Sequence, residues 1–470
     1  MTRRELKAPS PQRAKKRLSR HLEQVNLYSA GIDIGAHEHY VAVPEDLDDG
    51  SAVRMFACFT ADLERMADWL VAIGIQSVVM ESTGVYWIPA FEILEERGLE
   101  VLLVNARHVK NVSGRKSDVL DCQWLQQLHT YGLLRGAFRP PEQVCALRAY
   151  LRQRAMLTNA ASTHIQHIQK ALRQMNLLLD NVVTDIMGQT GMRIIRAIIA
   201  GERDADTLAQ HRDPRCKSTV AMIVQSLKGH YRDEHLFSLC QGVELHDIYR
   251  DKIRACDSAI ERQLGAFEDR GDPEHRLPTP KRKKKTKNAP NFDVRGHLYR
   301  ITGVDLTRVD GIDESTALKV VSEIGTDVSP WKSEKHFSSW LCLSPGNKVS
   351  GGKVLSTRTQ PSANRVAAAL RMAAFALANS KSALGAYFRR MRARLGAPKA
   401  ITATAHKLAR LVYSMLKHGT EYVDCGQDEY ERQHQQRLVK NLTKRAAELG
   451  FTLLPTALEQ PTSLNNAAVT

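Results

Sequence analysis

The hydrophobic pattern changes period along the chain. Between residues 27 and 135, short apolar runs alternate with stretches of helical spacing. LYSAGIDI, HYVAV and SAVRMFACF predict three strands, with Pro44, Asp49 and Gly50 marking the turn between the second and third. In ADLERMADWLVAI the apolar positions Leu63, Met66, Ala67, Leu70 and Ile73 recur at helical spacing, and Thr60 is placed to cap that helix. SVVME predicts a buried strand, WIPAFEILEERG a helix stopped by Gly98, LEVLLV a further strand and SDVLDCQWLQQLH a last helix. Three strands, helix, strand, helix, strand, helix describe an α/β domain, an antiparallel meander followed by parallel crossovers.

Beyond it the pattern becomes helical. Residues 141–180 predict one long helix, with Leu147, Leu151, Ile165, Ile168, Leu172, Met175 and Leu179 on three- and four-residue steps. Arg154, Thr158 and Ala161 weaken the middle of that stripe. A second stripe, Tyr249, Ile253, Cys256, Ile260, Leu264 and Phe267, is able to return against it as a coiled-coil or helical-hairpin arm, or as an ordinary pair of core helices. PTPKRKKKTKNAPN forbids a packed core and reads as a linker. ALKVVSEIG and HFSSWLCL lead to the loop SPGNKVSGGK, and two Ala-rich helices follow. The expected organisation is a basic flexible arm at 1–24, a catalytic α/β domain at 25–140, helical arms with an insertion at 141–268, a Lys-rich linker at 269–297, a mainly helical domain at 298–424 and a polar tail at 425–470. The fold class is α/β plus α.

Charge narrows the partners. Lys plus Arg number 67 against 51 Asp plus Glu, a net +16. An excess of that size favours a polyanion, because each neutralised phosphate releases counterions; a basic protein with no nucleic-acid role is the plainer reading. The 8 cysteines stand singly, with no CxxC pair, which argues against a zinc knuckle and a disulfide scaffold and fits a reducing cytosol. The basic N-terminus lacks the apolar stretch of a secretory signal, and no run reaches the length of a membrane span. A cytoplasmic protein, nucleoid-associated when acting, is expected.

Four carboxylates carry the candidate chemistry. Asp33 lies between Ile32 and Ile34 in an apolar strand, where an ionised carboxylate is costly without a compensating cation. Glu81 ends a second apolar strand, expected to neighbour the first. Asp118 and Asp121, three apart, project from one face of the last helix of that domain. Hard oxygen donors in that number suit Mg²⁺ or Mn²⁺, and two such ions are able to clamp the attacking and leaving oxygens of a phosphodiester. Arg115 and Lys116 precede them and are placed to hold a phosphate. Taken singly, GIDIG is a common strand and D-x-x-D a common solvated helix face; their order and topology together are the specific signal. Tyr86 and Trp87 follow Glu81, with Trp87 read as core.

The segments GIDIGAHEHYVAV, VVMESTGVYWIPAFEILEERGLEVLLVNARHVKNVSGRKSDVLDCQWL and the stretch from LCLSPGNKVSGGK to ITATAHKLARLVY resemble the DEDD transposases of the IS110 type, relatives of the Piv-type invertases. The resemblance covers most of 27–180 and 298–420. It implies a ribonuclease-H-like (RuvC-like) catalytic domain with its acidic tetrad at Asp33, Glu81, Asp118 and Asp121, joined to a transposase domain that supplies a nucleophilic serine. In Lys348-Val349-Ser350-Gly351-Gly352-Lys353 the first of the two serines common in relatives is Val349, which leaves Ser350 as the nucleophile, with Ser344 and Ser356 as nearby alternatives. Lys348 and Lys353 are placed to neutralise its phosphate. The resemblance also implies a guide (bridge) RNA and assembly as dimers or tetramers.

Further basic positions, Arg389, Arg390 and Arg392 with His406 and Arg410, are read as nucleic-acid backbone contacts or as a solvated basic face. VDGID at 309–313 looks like the hairpin of a helix-hairpin-helix, although Asp313 replaces the usual glycine. The reading is a metal-dependent DNA recombinase. The chief alternative is a Holliday-junction resolvase-like endonuclease that uses water and no covalent serine. An actin-like kinase, which shares I-D-x-G on its first strand, lacks its second phosphate loop here, and a catalytically dead binding protein would not need intact carboxylates.

Overall fold

The computed structural model describes residues 23–47, 51–105, 118–280 and 287–454. The chain divides into two compact units, Met1–Arg139 and Pro140–Thr470. The basic arm up to residue 22, Arg115 and Lys116 lie outside the described residues.

In the first unit the order is β1 (Ser29–Ile34), β2 (Glu38–Ala42), β3 (Val53–Ala57), α1 (Thr60–Ala72), β4 (Ser77–Glu81), α2 (Trp87–Glu96), β5 (Glu100–Val104) and α3 (Asp118–Thr130). The sheet order is β3-β2-β1-β4-β5. β2 runs antiparallel to β1 and β3, and β4 parallel to β1 and β5. This is the meander with crossovers that the change of period predicts. One detail differs. Thr60 is the first residue of α1, and the cap position belongs to Phe59, whose backbone is still extended and which offers no side-chain acceptor.

Both faces of the central strands are covered, which is why β1 and β4 read as unbroken apolar runs. Ala30, Ile32, Ile34, Val78 and Met80 pack on one face with Leu63, Met66, Leu70, Phe91 and Leu94 of α1 and α2. Val79 and Val104 meet Leu125 of α3 on the other. Burying an Ile or Leu stabilises by about 1.5–3 kcal/mol, whereas an uncompensated buried charge costs several kcal/mol. Asp33 and Glu81 accordingly sit at or next to the C-terminal ends of their strands and are only partly buried.

The second unit begins with α4 (Glu142–Gln174), which lies against α9 (Asp233–Gly265). The pair is antiparallel: Arg154 meets Asp257, His164 stacks on Tyr249, and Gly242 abuts Ile168. The polar middle of the first stripe has its explanation here. Arg154 Nε donates to Asp257 Oδ1 at 2.5 Å, and the two side chains are only 12% and 6% exposed. Between the long helices, α5 (Leu179–Val182), α6 (Gln189–Ile199), α7 (Ala205–Ala209) and α8 (Val220–Ser226) close a core on Ile168, Leu172, Met175 and Leu239.

The chain then forms α10 (Val294–Thr302), a 3₁₀ turn (Leu306–Arg308), α11 (Glu314–Ile324), α12 (Glu334–Trp340), the hairpin β6 (Lys348–Ser350) and β7 (Lys353–Ser356), α13 (Arg365–Ala376), α14 (Ala383–Leu395), α15 (Ala397–His418) and α16 (Gln427–Glu448). Three expectations change. The segment around Ser350, read as a loop, is a tight hairpin: Gly351 and Gly352 have φ of 53° and 74°, the left-handed pair that a two-residue turn demands. The polar tail carries α16, because Gln, Glu, Arg, Lys and Ala favour the helix even with no buried residue along it. The linker is tethered on its N-terminal side, where the Arg270 and Gly271 N–H groups both donate to Arg300 O.

Candidate active site

The pleat of β1 decides which side chains share a face. Ser29, Gly31 and Asp33 alternate with the core residues Ala30, Ile32 and Ile34, so they look toward α3. Gly31 makes that packing possible. A Cβ there would collide with the Gln126 backbone nitrogen and the Cys122 carbonyl, and would stand 2.9 Å from Gln126 Cα. The helix backbone therefore rests directly on the strand.

The direction of α3 follows from its far end. Ser29 Oγ lies 3.0 Å from Thr130 Oγ1, and Ser77 Oγ lies 3.0 Å from His129 Nε2. Asn26 Nδ2 donates to His129 O at 2.7 Å. These contacts fix the last turn of α3 over the beginnings of β1 and β4. The helix thus runs back along the strands, and its first turn, carrying Asp118 and Asp121, comes to their C-terminal ends.

Glu81 reaches the same place through register. Gly31 pairs with Val79 and Ile32 with Met80 in the parallel ladder, so one step further sets Asp33 beside Glu81. Val79 packs on Leu125, which puts Glu81, two residues on, on the α3 face as well. Electrostatics agree. Burial pushes the Cys122 thiol up to about 12, and the negative charges of Asp33 and Asp121 act in the same direction. Asp33 and Asp121 thus both act on Cys122.

Two further residues belong to this face. Tyr40 is the direct cross-strand partner of Asp33, and its hydroxyl donates to Glu38 Oε1 at 2.9 Å. That hydrogen bond, burial and the charges of Glu38 and Asp118 all raise the Tyr40 phenol. Neither Glu38 nor Tyr40 figured in the sequence reading. The antiparallel register of β1 and β2 is the signal that would have found them, since Glu38 and Tyr40 alternate with the buried His39 and Val41. Trp87 packs edge-on to Phe91 at 5.6 Å against the core, while Tyr86 is exposed.

The donor set is oxygen-only and hard, which suits Mg²⁺ or Mn²⁺. Cys122, the one soft donor among these neighbours, is buried and held protonated. Among the described residues, no group of three or more His, Cys, Asp and Glu side chains is drawn together closely enough to hold a metal ion.

The predicted residues of the second unit are placed as follows. Lys348, Val349 and Ser350 are exposed on β6, and Ser350 pairs with Lys353 across the hairpin. Directly paired residues share a face, so Lys353 accompanies Ser350, whereas a register shift separates Lys348 from Val349. Ser344 Oγ donates to Ser338 Oγ at 3.4 Å. Arg389 is engaged internally, donating to Ser380 O at 2.6 Å and Gln427 Oε1 at 2.6 Å. Arg390 lies over the Tyr430 ring at 4.6 Å, and Arg392 is exposed. Arg410 donates to Glu334 Oε1; burial and the Arg410 charge lower the His406 pKa. Asp313 caps α11, accepting from Thr316 N at 2.8 Å.

Two family models match the chain. Residues 30–177 match a transposase model of the IS110 DEDD type. Residues 305–389 match the transposase IS116/IS110/IS902 family. The chain carries IS110-family transposase domains. The first of these transposase matches extends past the first unit through α4, and the second takes in the Ser350 hairpin. The transposase domains make this an enzyme acting on DNA. No curated protein matches the chain. Among the described residues, no helix is long and apolar enough to cross a membrane.

Proposed function

We propose that the chain cuts and rejoins DNA strands, with a ribonuclease-H-like (RuvC-like) first unit holding divalent metal and Ser350 acting as nucleophile. One observation supports the reading: Asp33 and Glu81 stand at or next to the ends of the adjacent strands β1 and β4, and α3, which packs on β1 through Gly31, bears Asp118 and Asp121 in its first turn. The sheet order with its antiparallel meander supports the fold assignment, and the transposase matches support the substrate.

Asp33 and Glu81 would hold Mg²⁺ or Mn²⁺ from the strand ends, and Asp118 and Asp121 from the first turn of α3. When bound, the metal polarises the scissile phosphate and favours ionisation of an attacking hydroxyl. Ser350 Oγ forms the new bond to phosphorus, the P–O bond to a deoxyribose oxygen breaks, and that oxygen takes up a proton as the serine loses its own. Attack on the phosphoserine by the hydroxyl of another strand reverses these changes and frees the serine, so the ester is conserved without ATP. Lys353, across the hairpin, offsets the negative charge. The two glycines of the turn let the backbone approach the phosphate. This chemistry requires Ser350 and the acids to act on the same phosphate. Binding of a guide RNA and assembly as dimers or tetramers belong to the same proposal.

A second reading, a resolvase-like endonuclease using water, is favoured by one observation: among the described residues no side chain hydrogen-bonds the exposed Ser350 hydroxyl to activate it. Ser350→Ala separates the two. On the first reading it abolishes the covalent protein–DNA adduct on a denaturing gel together with strand exchange; cleavage that survives Ser350→Ala assigns the water mechanism. Asp33→Ala, Glu81→Ala and Asp121→Ala each abolish cleavage while nucleic-acid binding persists, and unchanged cleavage in any of them removes that residue from the site. Purification without nuclease followed by sequencing of bound RNA yields one recurring structured RNA; random cellular RNA alone refutes the guide.

A further inference from the structure

A cavity of about 360 Å³ opens where α14, α15 and α16 meet, outside every residue considered for cleavage. Its lining divides by chemistry. Leu384, Leu411 and Val423 form an apolar side; Tyr387, Lys407 and Arg437 are among those forming a polar, cationic one. Tyr430 and Gln433 also line it, and no carboxylate does.

The cationic side is built rather than incidental. Lys407 Nζ lies 4.6 Å from the Tyr387 ring centroid and 5.3 Å from that of Tyr430. Arg390 lies over Tyr430 at 4.6 Å, and its Nη2 is buried with no hydrogen-bond partner. Burial lowers the Lys407 pKa, and the charges of Arg437, Arg390 and Arg410 lower it further against the opposing influence of Cys425. The carboxylates beside the lining are already engaged: Asp424 accepts from Ala383 N at 3.0 Å, Glu429 accepts from Gln433 Nε2 at 2.8 Å and pairs with Arg432, and Glu334 pairs with Arg410. Lys407 and Arg437 thus line a half-enclosed space that no carboxylate lines, with Arg390 beside Tyr430, an arrangement that favours an anionic ligand. The volume falls in the range of small-ligand sites, well above what a bare phosphate fills. The apolar side gives the remainder somewhere to pack.

We propose that this cavity receives an unpaired nucleotide of a nucleic-acid strand, its phosphate toward Lys407 and Arg437 and its sugar and base toward Leu384, Leu411 and Val423. A single strand or a frayed end can place one nucleotide in such a recess, whereas an intact duplex presents its phosphates on a wide convex surface. A free mononucleotide shares the same chemistry, and the test separates the two. The proposal does not depend on the strand-cleavage reading.

The full chain is titrated, by fluorescence anisotropy, with a labelled 12-mer single strand of DNA, the same sequence in RNA, the 12-bp duplex and labelled AMP. Arg437→Gln and Lys407→Met each weaken DNA or RNA single-strand binding by about tenfold, and the salt dependence of log K falls by about 1 for each phosphate contact removed. Duplex binding stays within about twofold, since a recessed site contributes little to a general phosphate surface. Equal losses for duplex and single strand, or no loss for either, overturn the proposal. Binding of AMP that is lost in the variants while strand binding is untouched reassigns the cavity to a free nucleotide and overturns it too. Because Arg437 is exposed on α16, Arg437→Gln keeps the test valid if Lys407→Met fails to fold.

Discussion

At position 31 even a methyl group collides with the backbone of α3, and backbone atoms cannot swing aside as a side chain can. Gly31→Ala is therefore expected to lift the helix from the strand, at a cost of about 1–3 kcal/mol, as in other overpacked sites. Because Asp118 and Asp121 ride on that helix, cleavage should fall far more than stability. A variant with a lowered melting temperature but full cleavage would show that the helix does not position the acids. Cys122 offers a second test at this scale. Its thiol is held protonated up to about 12, so alkylating reagents should leave it untouched at neutral pH in the folded protein while the exposed Cys425 reacts. Mass spectrometry of the labelled peptides reads the difference, and rapid labelling of native Cys122 contradicts the packing described.

Among the elements, α3 is held at its end by His129 and the sheet by the buried His39, and burial lowers the pKa of both. A buried neutral histidine that must become charged favours the unfolded chain. Its contribution is present above the unfolded value of 6.5 and is lost as the pH falls through the depressed folded value. The melting temperature of the first unit should drop between about pH 7 and pH 5, and His129→Gln should flatten that dependence. An unchanged slope would mean that His129 does not titrate with unfolding. In the long helical pair, Arg154 and Asp257 are buried together. Removing one partner strands the other, at about 3–5 kcal/mol, whereas replacing both with apolar residues of similar volume is close to neutral. Thermal melts of Asp257→Ala and of the Arg154→Leu/Asp257→Leu double variant should show that ordering; equal melts would mean the pair is solvated.

For the whole molecule the net +16 makes DNA affinity an ionic-strength question. Each phosphate contact contributes about −0.9 to the slope of log K against log salt for duplex DNA. A slope steeper than about −4 is expected, and a flat dependence would mean that the basic excess lies away from the binding surface. The acids on the strand ends and the first turn of α3 locally oppose this charge. Holding them near DNA therefore calls for a cation, as the proposed metal provides.

Much of this was legible in the residues themselves. Short apolar runs and period-3.6 apolar spacing specified the strands and helices of the first unit, because burial on one or both faces leaves its imprint on every position. The strand-borne acids stood out for the same reason, as charges where the pattern demanded apolar side chains. Other features depend on contacts between distant segments, and local spacing does not encode these. Only the fold shows α3 running back over Gly31 to carry Asp118 and Asp121 to the strand ends, or the β1–β2 register bringing Glu38 and Tyr40 to Asp33. Only the fold engages Arg389 with Ser380 and Gln427, and builds a cationic cavity from residues between 383 and 437. Linear order says which side chains are dear to bury; the path of the backbone decides which of them meet.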